Sequence, residues 1–244
     1  MIALVDYGMG NLRSVEKALA RVGADVQIVS DRKSALAADA LVLPGVGAFG
    51  DCMANLEKVG LVGAIREFIA TNRPFLGICL GFQALFESSE EAPGVKGLAL
   101  FPGTVPRFAA NGLKVPHMGW NRLRIQRGDC PLLKGVADGS YVYFVHSYYC
   151  KPKSASVVCG TTEYGIEFCS MLWTGNVYAT QFHPEKSQGV GLKMLENFVG
   201  LGKETGDRRQ ETGDRRQKAE KRRAETEDGR PRRGDRRQET EDRS

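Results

Sequence analysis

Short apolar runs alternate with stretches whose apolar residues recur every three or four positions over the first part of the chain. Ile2 to Val5 is a continuous apolar run ended by Asp6, which predicts a strand buried on both faces. Val15, Leu19 and Val22 then recur at helical spacing, and Val26 to Val29 and Leu41-Val42-Leu43 predict two more strands. Helical spacing returns over Leu56 to Phe68. Phe75 to Ile78 predicts a fourth strand, with Phe82, Leu85 and Phe86 at helical spacing directly after it. From about Leu113 the pattern changes: Lys114-Val115, Leu123-Arg124-Ile125, Tyr141 to Val145, Val157-Val158 and Val177 to Thr180 predict strands with little helix between them, and a helix over about Val190 to Val199 follows. Strand and helix in alternation predict an α/β fold, a mostly parallel open sheet with helices on both faces plus an antiparallel extension.

Composition divides the chain after Phe198-Val199-Gly200-Leu201. From Lys203 onward there is no Val, Ile, Leu, Met or aromatic residue, and Glu204-Thr205-Gly206-Asp207-Arg208-Arg209-Gln210 repeats at once as residues 211–217. Such a segment buries no apolar area to offset the entropy of ordering it, so one domain is expected over 1–202 and a disordered polyampholyte tail over 203–244. The tail carries 15 Lys/Arg and 12 Asp/Glu, which leaves +2 of the chain's formal +5 for everything before it. Basic residues are thus offset by nearby acids rather than gathered into a tract, which argues against a nucleic-acid partner. No apolar stretch approaches the roughly 18 residues of a membrane span, and the chain begins directly in a strand, so a cytoplasmic protein is expected. Six cysteines show no Cys-x-x-Cys pair and no Cys/His ligand spacing, so neither a metal nor a disulfide framework is expected.

The chemistry concentrates in Gly77-Ile78-Cys79-Leu80-Gly81. An apolar run ending in Gly-x-Cys-x-Gly mounts a thiol on a strand-to-helix turn, where side chains on the neighbouring glycines would collide with the turned chain. A helix N-terminus and an imidazole there favour the thiolate. A buried structural cysteine has the same local signature, so the pentapeptide alone leaves both readings open. Of the three histidines, only His183 stands in a strand-end cluster with an acid, Gln181-Phe182-His183-Pro184-Glu185. Cys79, His183 and Glu185 supply nucleophile, base and the carboxylate that orients the base. Leu43-Pro44-Gly45-Val46-Gly47 is a second strand running into a glycine-rich turn, which makes the amides of Val46 and Leu80 the two candidate oxyanion donors. Asp6-Tyr7-Gly8-Met9-Gly10-Asn11 begins like a dinucleotide fingerprint, but Arg13 stands where the third glycine belongs; a tight turn lining a cleft is expected, and no cofactor.

Pro-Gly-Val-Gly at 44 to 47, Gly-Ile-Cys-Leu-Gly at 77 to 81 and His-Pro-Glu at 183 to 185, in that order and spacing, resemble the triad (class I) glutamine amidotransferases, whose fold is flavodoxin-like. The likeness extends over residues 1 to 201. The segments at 6–11, 44–51, 79–97, 116–121, 143–148 and 183–187 narrow it to the branch that serves histidine biosynthesis. The resemblance implies glutamine as substrate, a pocket for it around Gly47, Gln83, Glu91, Ser147 and Tyr148, and a heterodimer with a cyclase subunit built as a (β/α)₈ barrel. It also implies that Asn11, Trp120, Tyr143 and Lys186 lie at that contact. Triad amidotransferases serving other synthases, a silent scaffold of the same fold, and a cysteine hydrolase acting on peptides are the other readings; Pro116 to Asn121 and Lys186 speak against the first, the intact Cys79, His183 and Glu185 against the second, and the glycine-rich oxyanion turn with the glutamine-pocket residues against the third.

Overall fold

The computed structural model describes residues 1–109 and 112–228. Its main sheet has eight strands. Four come from the first part of the chain: β1 (Ile2–Val5), β2 (Val26–Val29), β3 (Ala40–Leu43) and β4 (Phe75–Ile78). Short strands β5 (Ser88–Ser89), β6 (Gly103–Val105) and β10 (Lys151–Pro152) form a minor sheet, and β7 (His117–Arg122) pairs with β9 (Tyr141–His146) as an antiparallel ribbon. The rest of the main sheet is β8 (Arg124–Ile125), β11 (Val158–Glu163), β12 (Glu167–Thr174) and β13 (Val177–Thr180). The order is β2-β1-β3-β4-β13-β12-β11-β8. The first five strands are parallel, and the last three extend them antiparallel.

Helices α1 (Leu12–Arg21), α2 (Arg32–Ala37), α3 (Phe49–Lys58), α4 (Leu61–Ala70), the single turn α5 (Leu80–Gln83) and α6 (Gln188–Asp228), with 3₁₀ turns at Pro131–Leu133, Ala155–Val157 and Pro184–Lys186, complete the elements, and Val157, expected in a strand, lies in the second of those turns. Because side chains alternate across a strand, each parallel strand feeds two cores. Ala3, Val5, Leu41, Leu43 and Phe75 pack with Phe49, Leu56, Leu61 and Phe68 of α3 and α4. Ile2, Leu4, Val42, Leu76 and Ile78 pack on the other face with Val15 and Leu19 of α1 and Met194, Leu195 and Phe198 of α6. The α/β fold with helices on both faces and an antiparallel extension is therefore the one expected from the pattern.

Several elements differ from expectation. Helical spacing over Leu56 to Phe68 belongs to two helices, because Gly60 turns left-handed (φ 70°) between them. Lys114-Val115 is not a strand; pairing starts at His117, beyond Pro116, which has no N–H to donate to a ladder. The helix after Cys79 is one turn rather than a long element, so few peptide dipoles align behind the thiol. The last helix, expected to end near Val199, runs to Asp228. Its continuation is rich in Glu, Arg, Lys and Gln, with Glu204 to Arg208 and Glu211 to Arg215 at i,i+4 spacing and no proline before Pro231. The disorder expected from Lys203 thus meets helix as far as Asp228, and residues 229–244 lie outside the described residues. Met1–Gly206 forms one compact unit, and the described residues from Asp207 to Asp228 belong to a second. Among the described residues no helix is long and apolar enough to cross a membrane.

Candidate active site

Three adjacent parallel strands, β3, β4 and β13, deliver the expected site residues at their carboxyl ends. Cys79 follows β4 with φ 54° and ψ −105°, a strained conformation for a residue with a Cβ. The flanking glycines are sterically required. A Cβ on Gly77 would lie 2.9 Å from the Gly81 carbonyl oxygen, and one on Gly81 would lie 2.0 Å from that of Leu43. The Cys79 N–H donates to the Thr180 carbonyl at 2.7 Å, which ties the elbow to the end of β13 and to the segment that carries His183.

His183 Nδ1 and Glu185 Oε1 are 2.8 Å apart, and both side chains are buried. The other ring nitrogen, Nε2, is buried and makes no hydrogen bond among the described residues; the same is true of Glu185 Oε2. Burial alone would lower the affinity of this imidazole for a proton. The facing Cys79 sulfur and the Glu185 carboxylate outweigh it and raise the His183 pKa to about 10. Although Nε2 and the thiol are not hydrogen-bonded in this geometry, they are close enough to couple through their charges.

The glycine-rich turn after β3 sits against the elbow. A Cβ on Gly45 would meet the Tyr7 hydroxyl at 2.6 Å and Leu80 Cβ at 2.8 Å, so only glycine allows this approach. Tyr7 braces the turn by donating to the Pro44 carbonyl at 3.0 Å. The segment at 6–11 is the expected tight turn, with the Gly8 N–H on Asp6 Oδ1 at 2.9 Å and Gly8 and Gly10 at positive φ. The Leu80 N–H donates to the Gly45 carbonyl at 3.4 Å. A trans peptide holds its C=O and N–H on opposite sides, so the Val46 N–H of that same peptide points away from Leu80. In this geometry the two candidate oxyanion amides do not converge.

A cavity of about 290 Å³ opens at the elbow, lined by Cys79, His183, Val46, Leu80 and all five expected pocket residues, Gly47, Gln83, Glu91, Ser147 and Tyr148, together with Pro116, Val145 and His146. Gln83 lies one turn beyond Cys79, its N–H on the Cys79 carbonyl at 3.1 Å. Glu91 Oε2 accepts the Phe49 N–H at 2.8 Å, at the start of α3. Among the described residues no group of three or more His, Cys, Asp or Glu side chains is placed to hold a metal ion.

Three of the four expected contact residues come together. Trp120 and Tyr143 are cross-strand partners in the β7–β9 ribbon, with ring centroids 5.9 Å apart, and Lys186 Nζ lies 5.8 Å from the Tyr143 ring. Trp120 is 46% exposed, beside exposed Met118 and Tyr141. Asn11 is the N-cap of α1, with no side-chain capping bond. Sequence reasoning assigned no role to Gln181, His117 or His146. Gln181 Nε2 lies 3.7 Å from Cys79 Sγ, and His117 and His146 are hydrogen-bonded to each other in the ribbon's buried face. The usable signal was their position, two before His183 and on inward-facing positions of paired strands.

A thiol on a strained elbow, a buried imidazole–carboxylate pair and a glycine-rich turn at the carboxyl ends of a parallel sheet define a cysteine-dependent amidotransferase site. The chain belongs to the glutamine amidotransferase class-I family, whose model matches residues 3–200. Within it the chain is 53% identical over 206 residues to "Imidazole glycerol phosphate synthase subunit HisH" of Moorella thermoacetica, covering 84% of this chain and 97% of that protein. The subunit of the same name from Methanothermobacter thermautotrophicus is 54% identical over 201 residues, covering 82% of this chain and 98% of that protein. The fold is shared more widely: a crystal structure of a glutamine amidotransferase, 19% identical, superposes with a TM-score of 0.65 over 83% of this chain and 99% of that one.

Proposed function

We propose that this chain is a glutaminase subunit in histidine biosynthesis. It hydrolyses glutamine to glutamate and ammonia and passes the ammonia to a (β/α)₈-barrel cyclase subunit, which makes imidazole glycerol phosphate and aminoimidazole carboxamide ribotide. The observation that carries the reading is the convergence of Cys79 with the His183–Glu185 pair at a cavity lined by Gly47, Gln83, Glu91, Ser147 and Tyr148. The Cys79 thiolate attacks the side-chain amide carbon of glutamine, forming a C–S bond and a tetrahedral oxyanion. His183 gives its proton to the departing nitrogen, the C–N bond breaks, and ammonia leaves a glutamyl thioester. Water, losing a proton to His183, then cleaves the C–S bond and releases glutamate. Glu185 holds the imidazole's tautomer, and Glu91 faces the substrate's α-ammonium.

The oxyanion is assigned to the amides of Leu80 and Val46, which requires the Gly45–Val46 peptide to turn over from its present orientation. One missing donor costs about 10² to 10³ in rate. The subunit alone is therefore slow, and contact through Trp120, Tyr143, Lys186 and Asn11 favours the turned state. Residues 1–202 are the catalytic domain of this cytoplasmic heterodimer, and the tail lies outside that function.

The test is steady-state kinetics of the chain alone and with the cyclase subunit and its nucleotide ligand. Glutamine hydrolysis is expected to rise about 10² to 10³-fold in the complex. Cys79→Ala in the complex should abolish it while added ammonia still supports the synthase. Glutamine hydrolysis persisting in Cys79→Ala would sink the assignment of the nucleophile, and equal turnover with and without the partner would sink the gating.

A further inference from the structure

Gln181 is fully buried in the segment that carries His183, and the triad leaves it without a task. Its Nε2 faces Cys79 Sγ at 3.7 Å, while its Oε1 accepts from Gln83 Nε2 at 3.1 Å and lies 4.0 Å from the Cys150 thiol. Gln83 Nε2 also donates to the Tyr148 carbonyl at 3.1 Å. That carbonyl is 2.8 Å from His146 Nδ1. His146 Nε2 faces His117 Nδ1 at 2.9 Å, and His117 Nε2 faces Asn121 Nδ2 at 3.2 Å.

A backbone carbonyl only accepts, so Tyr148 sets the direction of every bond in this chain. On the inward side, Gln83 must turn its NH₂ to the carbonyl. The same NH₂ meets Gln181, so the Gln181 atom there is oxygen and its NH₂ is left facing the sulfur. On the outward side, His146 must carry its proton on Nδ1, which makes its Nε2 an acceptor and His117 Nδ1 the donor. His117 Nε2 then accepts from Asn121, whose NH₂ also donates to the Glu163 carbonyl at 2.9 Å and whose Oδ1 accepts the Arg122 N–H at 2.7 Å. Both rings stay neutral: burial depresses His117 to about 4 and His146 to about 3. His117 is held in place by stacking on Tyr164 and Phe144, with centroids 4.0 and 4.7 Å away.

We propose that Gln181 is a positioning residue for the nucleophile, its amide N–H aimed at the Cys79 sulfur by a hydrogen-bond network whose polarity is fixed at the Tyr148 carbonyl, which accepts from Gln83 on one side and from His146, backed by His117 and Asn121, on the other. The inference rests on Cys79 as nucleophile. A donor at the sulfur stabilises the thiolate and restricts its rotation, while His183 carries the proton. The other titratable groups around the sulfur are His183 with Glu185, the Tyr7 hydroxyl and the Cys150 thiol, and Glu91, His146 and Tyr148 line the same cavity. All of them remain in the variants below.

Two measurements on the full chain test this, and neither uses glutamine. Long-range ¹H–¹⁵N spectra of histidine-labelled protein, with only three rings to assign, should show His117 and His146 neutral with the proton on Nδ1 at pH 7. An Nε2–H tautomer or a charged ring at either position would overturn the chain's direction. The second is the pH–rate profile of Cys79 alkylation by iodoacetamide, read from the mass of the Cys79 peptide. Gln181→Glu keeps the shape and the acceptor for Gln83 but turns an acceptor to the sulfur. It should slow alkylation at pH 7 by about tenfold or more and move the profile to higher pH, at an unchanged circular dichroism spectrum. Gln181→Leu should act in the same direction, and if it does not fold, Gln181→Glu and the spectra decide. A Gln181→Glu profile that superimposes on the parent's overturns the proposal. If Cys79 were not the nucleophile, Cys79→Ala would retain glutamine hydrolysis while both of these readouts kept their expected values, so the two failures are distinct.

Discussion

Tyr143 lends its carbonyl oxygen to the backbone N–H of His183 at 2.9 Å, so one peptide of the exposed ribbon supports the ring that faces Cys79. The tie is doubled. The Tyr143 N–H donates to Ser187 Oγ at 3.0 Å, and that hydroxyl donates to the His183 carbonyl at 2.7 Å. Any partner that seats on Trp120 and Tyr143 therefore presses on the backbone that positions the base.

Trp120→Ala is expected to weaken binding of the proposed cyclase partner by about 2 kcal/mol, some thirtyfold, because an exposed aromatic beside Met118 and Tyr141 fits the profile of an interface anchor. Turnover of the chain alone should not change. Titration calorimetry checks the first and steady-state kinetics the second; undiminished affinity would remove Trp120 from the contact.

At the elbow, Cys79 holds φ 54° with a Cβ in place. Cys79→Gly should therefore melt higher than Cys79→Ala by the equivalent of about 1 kcal/mol, since glycine alone adopts this conformation without strain. Thermal unfolding of the two inactive variants compares them directly, and equal melting temperatures would mean the elbow stores no strain.

Acid should destabilise the protein through the buried histidine pair. His117 and His146 are depressed to about 4 and about 3 when folded, against about 6.5 when unfolded, so below pH 6.5 the unfolded chain binds more protons. Stability is then fully present above about 6.5 and falls as pH drops toward 4 and then 3. His183 runs the other way: raised to about 10, it stabilises fully below about 6.5 and loses its contribution as pH climbs through 10. Melting temperature against pH checks both slopes. His146→Gln should flatten the acid limb although it lowers stability at pH 7; an unchanged acid limb would exclude His146 as its source.

A chain ending at Gly206 should keep the parent's melting temperature and glutaminase activity. Met1–Gly206 is a compact unit by itself, and the residues beyond it include no Val, Ile, Leu, Met or aromatic side chain. A drop of several degrees on truncation would show that the removed segment stabilises the domain.

Two of the three strands that carry the site were legible because each is a short apolar run with glycine within it or close behind it: Leu41 to Leu43 before Gly45, and Phe75 to Ile78 around Gly77 and before Gly81. Local sterics alone connect those spacings to a tight elbow, and residue chemistry alone marks Cys79, His183 and Glu185 as complementary. What the chain could not state locally was direction and partnership over distance. Helix α6 runs past the last apolar residue because charged helix formers propagate a helix already nucleated by packing, which no periodicity announces. The Gly45–Val46 peptide could face either way in a glycine-rich turn, and the Leu80 N–H, placed there by an elbow more than thirty residues later, selects its orientation. His117 and His146 read as unremarkable until β7 and β9 pair in register and bury them side by side. Gln181 gains a task only because the amide of residue 83, itself turned by the carbonyl of residue 148, meets it just beyond β13, and hydrogen-bond polarity is a property of that three-dimensional meeting rather than of any one segment.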